Sequence, residues 1–378
     1  MTDAAEPQTA SRPIEQEADF IKLNAVDHVE FWVGNAKQAT YFWRHVGFQP
    51  VAYSGLETGN RRCAQWALEQ NKIRFVLTSA YDPHDEIATH SMLHGDGVKA
   101  IALSVDDVES VYREATKRGG VGVKPPTEHV DADGTVRTAE IKCYGQTVIR
   151  FIERDAYDGA FMPGFEPIEA PFQAQSVGLK AIDHIVGNVE LGKMNYWVKW
   201  FHEVLGFRQI VHYDDDDIHT EYSALMSKVM ANGNSRIKFP INEPAEGRRK
   251  SQIEEYLEYY TGPGVQHLAL ITGDIIGTVR ALRDNGLEFL RVPDAYYEAL
   301  PDRIGTIKES YDEIQRLGIL ADRDDEGYLL QIFTRPIQDR PTVFLEVIQR
   351  RGSRGFGIGN FKALFESIEI EQARRGNL

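Results

Sequence analysis

The chain has few cysteines and no long apolar run. Only Cys63 and Cys143 occur in 378 residues, too few for a disulfide framework, so we expect a reduced cytoplasmic setting. No stretch approaches about 18 uninterrupted apolar residues, so no transmembrane helix is predicted. The N-terminus lacks the basic start and apolar core of a signal peptide. We expect residues 1–16 to form a disordered tail.

Positive charge is also scarce. The chain has 42 Lys and Arg against 57 Asp and Glu, a formal charge of −15. This balance argues against nucleic acid or an anionic membrane surface as a partner. The sequence contains no nucleophile elbow, phosphate-binding glycine loop or dinucleotide fingerprint. An enzyme or a binding protein acting on a small molecule remains open.

The clearest feature present is a degenerate internal repeat. Each half reads as strand, helix and several strands, followed by the same series again. Such a repeat predicts an α+β chain of two tandem domains, each a curved sheet half-closed around a pocket. The matching segments are VDHVEFWVGN (26–35) with IDHIVGNVEL (182–191), GDGVKAIALSVDD (95–107) with GPGVQHLALITGD (262–274), and VIRFIER (148–154) with FLEVIQR (344–350).

The repeat also sets the domain boundaries. We predict an N-terminal repeat domain over residues 17–160 and a C-terminal domain over 178–378. The connection between them is assigned to 161–177, within a Pro- and Gly-rich stretch that has no periodicity. The second half is longer because residues 293–328 form an insertion with a helical pattern.

The chain ends in an amphipathic pattern. In FKALFESIEIEQARR, Phe361, Leu364, Phe365 and Ile368 stand at helical spacing. We predict a helix over residues 361–376 that packs its apolar face on a core.

Two histidines and one glutamate stand on apolar strand faces. They are His184 in IDHIVGNV, His267 in VQHLAL and Glu346 in TVFLEVIQR. A carboxylate on such a face must be paired or must bind a cation. Two imidazoles and one carboxylate leave coordination positions open and suit non-haem iron. We therefore predict one Fe(II) per chain, held by these three residues.

Each of these residues has a plainer interpretation, because a lone strand histidine is usually a hydrogen-bonded core residue and a lone strand glutamate usually pairs with arginine. The repeat favours the interpretation as a metal site. The first half keeps one candidate ligand, loses two and gains a repelling cation, so the site is expected only in the C-terminal half. The aligned pairs are His28 with His184, Ala100 with His267, and Arg150 with Glu346. The acidic run HYDDDDIH (212–219) is predicted as a solvated hairpin loop rather than a cation site.

Further motifs carry a family resemblance. They are KFPINEPA (238–245), SQIEEYLEYYTGPGVQHLAL (251–270), DRDDEGYLLQIFTRP (322–336) and RGFGIGNFKALFESIEIEQ (354–372). Together with the three strand motifs, they resemble the 4-hydroxyphenylpyruvate dioxygenase family of the vicinal oxygen chelate superfamily, over about residues 20–378. The resemblance implies repeated βαβββ modules that form half-open barrels, with the C-terminal helix capping or gating the site.

The resemblance also implies site residues. Its Fe(II) ligands fall on the three residues already chosen. Uncharged amides can hydrogen-bond a phenol or carboxylate, and phenyl rings can exclude water, although such residues are more often surface amides or core packing. The implied substrate-binding residues are Ser227, Pro240, Asn242, Gln252, Gln266, Gln331, Phe333, Phe356 and Phe361. Those with an implied catalytic contribution are Ser227, Asn242, Gln252, Gln266, Gln331 and Phe361.

The implied reaction turns 4-hydroxyphenylpyruvate, an aromatic 2-oxo acid, and O₂ into homogentisate and CO₂, a step of tyrosine and phenylalanine catabolism. The implied assembly is a homo-oligomer, a dimer or tetramer. One alternative is hydroxymandelate synthase, which uses the same substrate and iron, but Pro240 and Phe361 favour the dioxygenase. Another is a non-catalytic ligand-binding member of the superfamily, which would lose metal ligands in both halves.

Overall fold

The computed structural model describes residues 20–169, 173–213, 224–245 and 250–377. Within these ranges the chain forms two curved mixed sheets, one from each half. The tail predicted for residues 1–16 and most of the acidic run at 212–219 lie outside the described residues. No helix among the described residues has both the length and the apolar character needed to cross a membrane.

The N-terminal half consists of two βαβββ modules joined by a helix. The first is β1 (Ala25–Trp32), α1 (Ala36–His45), β2 (Gln49–Ser54), β3 (Cys63–Gln70) and β4 (Ile73–Ala80). The joining helix is α2 (Glu86–His94), and the second module is β5 (Gly97–Ser104), α3 (Val108–Lys117), β6 (Gly122–Asp131), β7 (Gly134–Lys142) and β8 (Val148–Glu153), followed by the short β9 (Glu166–Pro167).

The C-terminal half repeats this plan with an insertion. Its first module is β10 (Leu179–Asn188), α4 (Met194–Leu205), β11 (Arg208–Tyr213), β12 (Ala224–Ala231) and β13 (Lys238–Ala245). After α5 (Gln252–Tyr260) come β14 (Gly264–Thr272), α6 (Ile275–Asp284), the inserted α7 (Asp294–Glu298), α8 (Leu300–Ile304) and α9 (Tyr311–Leu317), then β15 (Leu320–Asp324), β16 (Gly327–Phe333), β17 (Phe344–Arg351) and the terminal α10 (Ile358–Arg375).

Each sheet joins its two modules through their first strands. Among the described residues, the strand orders are β6-β7-β8-β5-β1-β4-β3-β2-β9 and β11-β12-β13-β10-β14-β17-β16-β15. The joining pairs, β1 with β5 and β10 with β14, are antiparallel. Within each module, the first and last strands are parallel. This arrangement confirms the predicted α+β fold of two tandem half-open barrels.

Strand register supports the alignment of the two halves. Ala102 on β5 pairs with Arg150 on β8, and Ala269 on β14 pairs with Glu346 on β17. Since Ala102 and Ala269 are equivalent in the aligned motifs, Arg150 occupies the position of Glu346. The two halves thus carry side chains of opposite charge, Arg150 and Glu346, at equivalent backbone positions.

Two boundaries differ from expectation. Part of the predicted connection, residues 161–177, forms β9, which pairs with β2. Phe161 and Phe165 are buried against Ala52 and Val76, so apolar packing holds this segment on the N-terminal sheet. The terminal helix begins at Ile358 rather than at residue 361, directly after Gly357, whose φ of 76° breaks the chain direction.

Candidate metal centre

Three side chains meet on the concave face of the C-terminal sheet. Nε2 of His184 lies 3.2 Å from Oε2 of Glu346, and Nε2 of His267 lies 3.3 Å from the same oxygen. The potential ligand atoms of the three residues lie within 4.8 Å of one another, and all three side chains are buried. Among the described residues, this is the one group of three or more His, Cys, Asp and Glu side chains with metal-site spacing.

Sheet register brings these residues together. His184 is on β10, His267 on the central β14 and Glu346 on β17. Val186 pairs with His267, and Ala269 pairs with Glu346. Because side chains on a strand alternate between faces, His184 and Val186 share a face, as do His267 and Ala269. All three candidate ligands therefore project into the barrel from adjacent strands.

The donor set fits a divalent cation. Two atoms that each lie ~2.1 Å from one ion, in neighbouring octahedral positions, are ~3.0 Å apart, close to the spacing seen here. Burial alone would raise the pKa of Glu346, but the two imidazoles outweigh burial and lower that pKa to about 2. Among the described residues, the ion-pair partners of Glu346 are these imidazoles rather than a guanidinium. Two imidazoles and a carboxylate on one face match the facial arrangement of non-haem iron sites.

A second layer of hydrogen bonds orients both histidines. With Nε2 directed at Glu346, Nδ1–H of His184 donates to Oδ1 of Asp183 at 2.8 Å. Nδ1–H of His267 donates to Oε1 of Gln266 at 3.0 Å. Such partners fix the tautomer and the ring orientation of metal-binding histidines.

A cavity opens directly above these three residues. It holds about 410 Å³ of atom-free space, counting its open mouth. Its wall combines aliphatic and phenyl groups with a few polar ones. The lining residues are His184, Val186, Ser227, Val229, Pro240, Asn242, His267, Gln331, Phe333, Glu346, Phe356, Phe361 and Leu364.

Most of the predicted pocket residues converge on this cavity. Ser227 and Asn242 are cross-strand neighbours on β12 and β13, and Phe333 pairs with Glu346 across β16 and β17. Gln331 is buried, and its Oε1 has no hydrogen-bond partner among the described residues. This oxygen can therefore accept a hydrogen bond from a ligand.

Gln252 and Gln266 do not line this cavity. Both line a neighbouring recess whose wall includes Phe344. Gln266 precedes the inward-facing His267 on β14, and its Oε1 accepts the hydrogen bond from Nδ1 of that histidine. Gln252 is buried at the start of α5. Gln266 therefore contacts the candidate centre through His267 rather than by lining the cavity.

Three lining residues were not assigned to the pocket from sequence. Val186 and Val229 stand two residues after His184 and Ser227 on their strands, and Leu364 stands one helical turn after Phe361. The periodicity of strands and helices could have indicated these positions, because it places each of them on the same face as a predicted site residue. Such aliphatic residues are hard to assign because the same pattern describes any core position.

In the N-terminal half, a guanidinium stands where the metal site would be. Nη2 of Arg150 lies 2.7 Å from Oε2 of Glu30 and 2.7 Å from Oε1 of Glu140. Its Nη1 lies 3.2 Å from Nε2 of His28, whose pKa is lowered by burial, so that the neutral ring can accept the hydrogen bond. Burial would raise the pKa of Glu30, but Arg150 outweighs it and lowers that pKa to about 2. An internal cation compensates the buried carboxylates here.

The fold and the site define a class of protein. The model of the Glyoxalase/Bleomycin resistance protein/Dioxygenase superfamily matches residues 25–143 and 181–332, the two halves of the repeat. Dioxygenases of this class imply a metal. Two of the three candidate ligands, His184 and His267, lie in the second matched region, and Glu346 lies beyond its end. The chain belongs to the 4-hydroxyphenylpyruvate dioxygenase family, because relatives that bear this name are 49% and 50% identical to it over 93% and 94% of its length.

Relatives match along most of the chain. A 4-hydroxyphenylpyruvate dioxygenase of Caenorhabditis elegans is 50% identical over 366 residues, which covers 94% of this chain and 93% of that protein. Its counterpart in Danio rerio is 49% identical over 362 residues, covering 93% and 91%. Among solved structures, a triple mutant of 4-hydroxymandelate synthase from Streptomyces coelicolor superposes with a TM-score of 0.83 at 30% identity, covering 93% of this chain and 99% of that one.

Proposed function

We propose that this chain is an Fe(II)-dependent dioxygenase that converts 4-hydroxyphenylpyruvate and O₂ into homogentisate and CO₂. One observation carries the proposal: a buried pair of imidazoles and a carboxylate forms the floor of a cavity lined by phenyl rings and few polar groups. Relatives about half identical in sequence bear the name of this activity. The structure related at 30% identity is a hydroxymandelate synthase variant, so the product must be determined.

His184, His267 and Glu346 would hold the iron. Fe(II) would supply open coordination positions where a 2-oxo acid can chelate and O₂ can be reduced, with the substrate providing electrons. These three side chains project from the sheet towards the cavity, so a bound ion would be open to the substrate on the cavity side. The carboxylate of Glu346 offsets part of the charge that a divalent ion brings into a buried site.

The cavity wall selects the aromatic end of the substrate. Phe333, Phe356 and Phe361 offer ring faces and edges to a phenyl group. The unpartnered Oε1 of Gln331 can accept a hydrogen bond from the phenol hydroxyl. A buried acceptor that loses its donor costs about 1–3 kcal/mol, so a substrate lacking the hydroxyl would bind more weakly. Ser227 and Asn242 add uncharged hydrogen-bonding groups to the same wall.

Helix α10 closes the cavity on the solvent side. Phe361 and Leu364 project from it into the cavity, while Phe365 packs into a cluster with Val229 and Ile253. The apolar cover excludes water from the reacting groups. A substrate must displace this helix or pass beside it, which is how lids commonly gate a site.

The direct test is a product assay. Purified protein is incubated with Fe(II), ascorbate and 4-hydroxyphenylpyruvate, O₂ uptake is followed with an electrode, and products are separated by chromatography. Homogentisate with one O₂ consumed per CO₂ released supports the proposal. Hydroxymandelate would assign the chain to the alternative reaction, and absence of O₂ uptake would leave a ligand-binding protein.

Phe361→Val is expected to raise the share of hydroxymandelate among the products. The smaller side chain frees space beside the substrate and lets it adopt a second orientation. Total turnover should fall by up to about 10²-fold, since small misplacements of a substrate are costly. Product ratios by chromatography measure the effect.

Phe365→Val is the matched control, because it makes the same change on the same helix at a position that packs in the core. It should lower stability and leave the product ratio unchanged. An unaltered ratio in Phe361→Val, or an equal change in both variants, would refute a selecting role for Phe361.

The proposal includes a cytoplasmic location and a homo-oligomeric assembly. Both cysteines are free and buried, which suits a reducing compartment. The assembly is the one that the family resemblance implies, and light scattering of the purified protein would test it.

A further inference from the structure

Asp183 stands at the centre of a buried polar network beside the candidate metal centre. Its Oδ1 accepts the hydrogen bond from Nδ1 of His184 at 2.8 Å. Both of its oxygens accept from Arg350, Nε to Oδ2 and Nη2 to Oδ1, each at 2.8 Å. Nζ of Lys238 lies 3.2 Å from Oδ1. Burial would raise the pKa of Asp183, but His184 and Arg350 outweigh it and hold that pKa well below its usual range.

A β-bulge makes this contact possible. Neighbouring residues on a regular strand point to opposite faces, which would separate Asp183 from His184. The register between β10 and β14 shifts between Ile182 and His184, so the backbone is irregular at Asp183. The local kink places the carboxylate beside the imidazole of the next residue.

Arg350 extends the network to the base of the terminal helix. Residues 353–357, which connect β17 to α10, are called the hinge segment here. Nη1 of Arg350 donates to the carbonyl oxygen of Gly355 at 2.5 Å and to that of Ser353 at 3.4 Å. The guanidinium lies 5.5 Å from the ring centre of Phe356, and that ring packs edge-on to His184 at 5.2 Å. Asp183 and Arg350 thus link a candidate metal ligand to the hinge segment, and Phe356 of that segment also contacts this ligand.

The same network exists in the half without a metal site. Asp27 lies 2.6 Å from Nδ1 of His28, and Arg154 donates to both oxygens of Asp27 at 2.8 Å. Arg154 also donates to the carbonyl oxygen of Phe161, whose ring packs edge-on to His28 at 5.2 Å. Arg74 takes the place of Lys238, 3.7 Å from Asp27. Any contribution of this network to stability alone should therefore be present in the N-terminal copy as well, where the full set of candidate metal ligands is absent.

We propose that Asp183 is a positioning residue for the metal centre, which keeps Nε2 of His184 directed at the ion and, through Arg350, couples this ligand to the hinge segment of α10. The inference rests on the proposed metal site. A carboxylate on the outer nitrogen of a ligating imidazole holds the required tautomer and strengthens it as a donor. Asparagine in its place carries no charge and can donate an N–H to Nδ1, which would put the ring proton on Nε2 and block metal binding.

The test compares two matched variants, Asp183→Asn and Asp27→Asn. Apo protein is titrated anaerobically with Co(II), and both the affinity and the visible absorption spectrum of the bound ion are recorded. We expect about one Co(II) per wild-type chain. Loss of such an outer partner typically costs about 10–100-fold in metal affinity, and we expect that loss together with an altered spectrum in Asp183→Asn. Asp27→Asn should lose comparable thermal stability and keep wild-type affinity and spectrum.

A second pair of variants covers the case in which Asp183→Asn does not fold. Arg350→Gln should weaken Co(II) binding and speed hydrogen exchange in the hinge segment. Arg154→Gln should leave both the Co(II) affinity and the hydrogen exchange of the hinge segment at wild-type levels. Wild-type affinity and spectrum in Asp183→Asn, or in Arg350→Gln if that variant alone folds, would overturn the inference while leaving the metal site standing. Equal losses of Co(II) affinity in Asp183→Asn and Asp27→Asn would overturn the inference as well. A wild-type chain that binds no Co(II) would refute the metal site itself.

Discussion

Glu346→Ala is expected to abolish both metal binding and turnover while the chain remains folded. The substitution removes one of three protein ligands and the negative charge that stabilises a divalent ion in a buried site. Because losing an outer partner alone costs about 10–100-fold in affinity, losing a ligand should lower it by more than ~10³-fold. Turnover should fall in parallel, below the limit of an O₂ electrode. Co(II) titration and O₂ uptake measure the two effects separately.

Apo stability distinguishes a site residue from a core residue. In the apo protein the cost of burying this carboxylate and its attraction to the two imidazoles oppose each other, so its removal should change the free energy of unfolding by only ~1 kcal/mol. Glu346→Gln keeps the shape and loses the charge, and it should also fail to hold the metal tightly. Near-normal turnover or full Co(II) occupancy in Glu346→Ala would rule out the assignment of this ligand.

Arg150→Met should be among the most destabilising single changes in the N-terminal half. Removing the guanidinium leaves Glu30 and Glu140 buried without a cation between them. Breaking a buried ion pair from one side typically costs about 3–5 kcal/mol. Metal affinity should stay at the wild-type level, because the candidate centre lies in the other half. Urea unfolding at neutral pH and Co(II) titration would show this combination.

The partners of Arg150 provide the control. Arg150→Met combined with Glu30→Gln and Glu140→Gln removes the uncompensated charges, so most of the lost stability should return. Non-additivity of this kind is expected for residues in direct contact. A loss below ~1 kcal/mol in the single variant would show that the three charges are not coupled as their distances suggest.

These two expectations concern equivalent places in one duplicated fold. Near the start of β8 and of β17, the equivalent strands of the two halves, the backbone presents a side chain to the middle of the barrel, Arg150 in one half and Glu346 in the other. Buried carboxylates need a cation in either case. In the first half the side chain of Arg150 is that cation, and in the second half a bound metal ion would be. The substitution of one kind of cation for the other explains how the fold persists where the metal site is lost.

Much of the candidate site could be predicted because it depends on strand periodicity. Candidate ligands on three apolar strands, and the loss of two of them in the first copy, are visible as letters in a repeated pattern. The placement of Gln252 and Gln266 could not be predicted in the same way. Their presence in a shared motif says nothing about which face of the sheet they occupy. Only the structure places Gln266 against Nδ1 of His267 and in the recess beside the cavity.

The sequence by itself determined the duplicated modules and the presence of all three candidate ligands in the second half alone, since both follow from local alternation of residue types. Tertiary structure decided the β-bulge that joins Asp183 to His184, the guanidinium between Glu30 and Glu140, and the packing of residues 161–167 on the first sheet. These features depend on contacts between residues far apart in the chain. Such contacts are set by sheet register and packing, which no short segment of sequence encodes alone.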